Sequence, residues 1–78
     1  MVISIGKYLD VEQWPDIPGR KTHIWAVRSK NGGILGEIYW YGPWRQYNFN
    51  PRPDTTFSSG CLNDIATFIL SIPKKESP

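Results

Sequence analysis

One cysteine, one histidine and one methionine in 78 residues leave little material for several kinds of chemistry. With Cys61 alone, no intrachain disulfide can form, although small secreted domains usually need such staples. A reducing compartment and a cytoplasmic setting are therefore expected. His23 has no second histidine and no cysteine pair beside it, so the common zinc-site spacings are missing, and neither metal nor cofactor is expected. No run approaches the roughly 20 apolar residues of a membrane span. The opening MVISIGKYLD has no basic leader, and Gly6 and Lys7 break its apolar stretch, unlike a signal peptide. No membrane partner is expected. Phosphate-binding glycine loops, the HExxH helix and the GxSxG elbow are all missing. The carboxylates are scattered, and only Glu37 falls within a strand-like run, so no paired-acid site is visible. A Cys61–His23 dyad would need an orienting third group and an oxyanion site, and neither is seen. The chain is expected not to be an enzyme, with no catalytic residue.

The length allows a single domain with two packed layers. Glycine and proline, seven each, imply many turns and short elements. The net charge of +2 and the isoelectric point near 8.9 favour anionic partners mildly, without the dense basic stripe of a DNA-coating protein.

The fold expected is α+β: a three-stranded antiparallel meander (about 23–29, 34–41 and 44–49) packed on one C-terminal helix (about 58–72). Residues 1–22 read as an N-terminal wrapping segment, irregular or with one short strand in MVISI, and anchored by Tyr8, Leu9 and Trp14. Residues 23–73 form the sheet-plus-helix core, and 74–78 a frayed tail. HIWAVRSK and GILGEIYWY flank Asn31-Gly32, a hairpin signal that predicts a two-residue turn with positive φ at both positions. Gly42-Pro43 is read as the next connection. The helix rests on an apolar stripe of Leu62, Ile65, Phe68, Ile69 and Ile72, with Ser58 as N-cap, Phe57 stapling onto Leu62, and Pro73 as stop.

A two-residue Asn31-Gly32 turn sets Lys30 opposite Gly33 and Trp25 opposite Ile38, and a two-residue Gly42-Pro43 turn sets Trp40 opposite Arg45. Alternation then sorts the side chains. Trp25, Val27, Ile38, Trp40, Tyr47 and Phe49 share the face that seats the helix. Ile24, Ala26, Arg28, Leu35, Glu37, Tyr39, Tyr41, Trp44, Gln46 and Asn48 share the uncovered face. The segment Tyr39–Phe49 holds six of the eleven aromatic residues. Trp40, Tyr47 and Phe49 are read as core. Tyr39, Tyr41 and Trp44 form an exposed aromatic patch, the kind of surface that marks an interaction site. Arg28, Arg45 and Gln46 complete the candidate ligand-binding set, although Arg45 also suits a structural stack on Trp40. Cys61 is read as a packed thiol.

Residues 36–69 resemble a family of small uncharacterised proteins met in phages and bacterial genomes. The shared pattern is Gly36, Ile38, the run Trp40–Tyr47 (WYGPWRQY), Phe49–Pro51, Phe57-Ser58, Cys61-Leu62 and Asp64-Ile65. Residues 1–20 fall outside it. The resemblance implies a phage or mobile-element setting and names no chemistry.

Two functional expectations follow. In one, the aromatic and basic sheet face binds a nucleotide or a single-stranded nucleic acid, with rings stacking on bases and arginine holding phosphate. In the other, the chain is a protein–protein inhibitor or adaptor of anti-defence type. It would then act on a host protein through the same face, or work as a homodimer or other homo-oligomer, since Tyr, Trp and Arg are the usual hot-spot residues.

Overall fold

In the computed structural model, which describes residues 2–16, 18–19 and 22–72, five antiparallel strands meander in chain order with one helix laid on one face. The strands are β1 (Val2–Ser4), β2 (Leu9–Gln13), β3 (Trp25–Ser29), β4 (Ile34–Tyr41) and β5 (Gln46–Pro51), and α1 spans Ser59–Ser71. The α+β class and the C-terminal helix agree with the expectation, but the sheet has five strands and not three. The N-terminal segment extends the sheet instead of wrapping it. In β2, buried Leu9 and Val11 alternate with half-buried Asp10 and Glu12, which is the period of a strand with one face covered. Without β2, β3 would be an edge strand although Trp25, Ala26 and Val27 are all buried. The tail 74–78 and the stop at Pro73 lie outside the described residues.

Both expected turns differ in length. The β3–β4 hairpin has a three-residue tip. Ser29 N–H donates to the Gly33 carbonyl, Gly32 N–H donates to the Ser29 carbonyl (both 2.8 Å), and only Gly32 takes positive φ, at 114°. Ser29 therefore replaces Lys30 opposite Gly33. A bulge follows, because Arg28 pairs with Ile34 while the next residue, Val27, pairs with Gly36. The bulge leaves Leu35 unpaired and packed against the core, not on the open face as expected. It also returns the ladder to Trp25 opposite Ile38, the predicted register. The β4–β5 connection has four residues, not two. Gly42–Trp44 form a 3-10 turn with proline in its first positions, and Arg45 closes it at φ 52°. Trp40 consequently faces Tyr47, and the expected pairing of Trp40 with Arg45 does not occur. The extra two residues preserve the faces, since side chains alternate with period two.

The core consists of Leu9, Val11, Trp25, Val27, Ile38, Tyr47 and Ile65, with Trp40, Phe49, Phe57, Cys61, Phe68, Ile69 and Ile72 packed against it. Its rings meet edge to face: Trp25 with Tyr47 at 5.4 Å, Trp25 with Phe68 at 5.6 Å and Trp40 with Tyr47 at 5.3 Å. Phe57 sets its ring against Phe49 at 5.3 Å. Ser58 caps α1, its hydroxyl accepting from the Cys61 N–H at 3.2 Å. At 3.6 residues per turn, Cys61, Ile65, Phe68 and Ile72 fall within about 60° of one another, which is the face pressed to the sheet. Leu62 lies off that arc and is 50% exposed, so it leaves the expected stripe, and Cys61 takes its place. Gly36 is required by close approach: a Cβ there would meet the Asn50 carbonyl oxygen at 2.6 Å and the Phe49 ring at 2.7 Å.

Candidate aromatic corner of the open sheet face

The face without the helix carries polar residues in cross-strand pairs. Asp10 lies opposite Arg28, and Glu12 opposite Ala26. Arg28 donates to Glu12 at 2.8 Å, and its second nitrogen reaches the Gly32 carbonyl at 3.3 Å. Lys30 donates to Asp10 at 2.7 Å and to the Ser4 hydroxyl at 2.8 Å. Arg52 donates to one Glu37 oxygen from both Nη2 (2.6 Å) and Nε (3.0 Å). These three pairs neutralise much of the face.

The aromatic residues gather at the other end of the same strands. Tyr39 is half-buried, Tyr41 is 40% exposed and Trp44 is 66% exposed. The 3-10 turn lifts Trp44 out of β5, where it was expected, and sets it edge to face on Tyr41, with centroids 5.2 Å apart at 87°. Arg45 follows in the left-handed conformation, exposed and in no ion pair among the described residues. A non-glycine residue in this region costs on the order of 1 kcal/mol, and such strain gathers at functional sites. Gln46 pairs opposite Tyr41, and its amide donates to the Asn48 side chain at 3.0 Å. The structure thus brings together Tyr39, Tyr41, Trp44 and Gln46, with Arg45 next in the chain to Trp44 at the end of the same turn. It does not bring Arg28 to them, because Arg28 sits at the hairpin end, bound to Glu12.

Trp14 joins this end, and sequence reasoning placed it elsewhere. Its N–H donates to the Ile24 carbonyl at 2.9 Å, which carries the alternation of β2 one step further and sets half-buried Trp14 with Glu12 on the open face. Counting from Leu9 and Val11 as core positions would have found it.

The remaining chemically versatile residues pack toward the helix side of the sheet. His23 Nδ1 is 2.7 Å from Asp16 and 3.3 Å from the Gln13 amide, with its ring edge on Trp25 at 5.6 Å. Cys61 packs against the core. Among the described residues no group of three His, Cys, Asp or Glu side chains is placed to hold a metal ion. No described helix is long and apolar enough to cross a membrane. A cavity of about 400 Å³ opens between β5 and α1, bounded by Gln46, Tyr47, Asn48 and Phe49 of the strand and by helix residues that include Ile69 and Leu70.

The chain matches no protein-family model and no solved structure. It is similar to an "Uncharacterized 9.3 kDa protein" of Acholeplasma phage L2, with 40% identity over 53 residues, which cover 67% of this chain and 68% of the phage protein. The chain therefore belongs to the same family as that small phage protein.

Proposed function

We propose that this chain is a non-enzymatic binding protein that holds a nucleotide or a short stretch of single-stranded nucleic acid at the aromatic corner. The observation that carries this reading is an exposed Trp44–Tyr41 ring pair on the turn that ends in exposed Arg45, in no ion pair among the described residues, while the cations elsewhere on the open face are matched by carboxylates. Trp44 and Tyr41 offer a stacking surface for a base, Arg45 offers donors to phosphate, and Gln46 supplies an amide beside Tyr41. Arg28 contributes field rather than contact, since Glu12 already holds it.

The test is a fluorescence titration with oligothymidylate and with a nucleoside triphosphate, repeated from low to physiological salt. Quenching of tryptophan emission is expected, with Trp44→Ala weakening binding by about tenfold or more. A single phosphate contact predicts a shallow salt slope of about −0.7 for a single strand. An unchanged spectrum at millimolar ligand would overturn the reading. The same exposed Trp, Tyr and Arg composition suits a hot spot for a host protein. In that reading Trp44→Ala would abolish a nuclease-resistant complex instead.

A further inference from the structure

The sheet has two edges, and they are built differently. β1 is three residues long, a length that limits unwanted pairing. β5 is six residues long, has no charged residue and reaches proline only at Pro51. Within the strand itself, therefore, the usual protections of an exposed edge are missing.

The Arg52 N–H bonds the Leu35 carbonyl. Alternation then makes Asn50–Glu37, Asn48–Tyr39 and Gln46–Tyr41 the hydrogen-bonded pairs of β4 and β5. The N–H and C=O groups of Tyr47 and Phe49 consequently point away from the sheet, toward the open edge. Beside that edge runs the cavity walled by Ala66, Ile69 and Leu70, and Leu70 is 85% exposed.

We infer that β5 pairs antiparallel with β5 of a second copy about a two-fold axis through Asn48. The strand is self-complementary in that register. Tyr47 of one copy meets Phe49 of the other, twice, through the outward backbone groups. On the opposite face Asn48 meets Asn48, and Gln46 meets Asn50, so every pair is ring on ring or amide on amide and no charge is buried. The two α1 helices come to lie on the same side of a ten-stranded sheet, where Leu70 and Ile69 of each copy close the other's cavity. Backbone pairing alone holds two chains weakly; this apolar flank supplies the burial that makes the pairing stable.

Sedimentation and native mass spectrometry of the full chain test the arrangement. A species of twice 9.0 kDa is expected at micromolar concentration. Asn48→Lys and Asn48→Asp place like charges on the axis and should each raise the dimer dissociation constant at least tenfold. Mixing the two variants should restore a heterodimer. Leu70→Glu, on an exposed helix position, should weaken the dimer without changing the circular dichroism spectrum. A monomeric wild-type chain at about 100 µM (roughly 100 times a dissociation constant of about 1 µM), or a dimer indifferent to all three folded variants, would overturn the inference. Nucleotide binding is read separately from mass, so either result stands whatever the corner binds.

Discussion

On the helix side of the sheet, buried Val11, Val27 and Ile38 lie under a lattice of edge-to-face rings. On the open side, Asp10, Glu12 and Glu37 are tied to Lys30, Arg28 and Arg52, and the aromatic residues crowd to one corner. The first face holds the fold by area removed from water, which scales with every methylene. The second is held by partly exposed ion pairs, each worth little in water. A chain this small cannot bury both faces. The face with the weaker claim on stability is the one free to present rings to a ligand.

The sharpest way to break this contrast is on the buried side. Ile38→Ala leaves a cavity at the centre of the sheet and should cost about 2–5 kcal/mol, read as a shift of the urea midpoint. Gly36→Ala should cost about 1–3 kcal/mol, because the added methyl meets the backbone carbonyl of Asn50 and displaces the Phe49 ring. Thermal melts of that variant and of Phe49→Leu with Gly36→Ala should show partial recovery in the pair. On the open side, Glu12→Gln should cost less than about 1 kcal/mol, with a deficit that shrinks in added salt. Arg45→Gly should leave stability unchanged or raise it by less than about 1 kcal/mol, since glycine accepts the left-handed turn freely, while nucleotide binding falls. A loss of several kcal/mol from Glu12→Gln would erase the distinction between the faces.

Much of the covered face was legible. ILGEIYWY carries its own alternation, and β4 occupies Ile34–Tyr41, the expected span. Ser58 marks the start of α1, and Phe68, Ile69 and Ile72 reach the core. The short strand offered by MVISI is present as β1, whereas β2 was not legible because its support is remote in sequence. Asp10 and Glu12 look like loop residues until Lys30 and Arg28, 20 and 16 positions away, are set beside them. The same remoteness hid the fact that Arg28 is occupied. The exposure of Tyr41 followed from alternation, but that of Trp44 comes from the 3-10 turn and not from the strand position expected for it, and the left-handed Arg45 had no local signal, being neither glycine nor asparagine.

The hairpin tip between β3 and β4 sets the pairing one residue off that of a two-residue turn, and the bulge at Leu35 restores it. Because the ladder is in register again from Val27 and Gly36 onward, a residue lost at the tip or at the bulge leaves Gly36, Ile38 and Trp40 on the helix side, the tip closing as a two-residue turn or the ladder running on without a bulge. Among relatives of different length, single-residue gaps should therefore gather at the tip or at Leu35, whereas a gap inside the run from Gly36 to Tyr41 would turn part of the strand over.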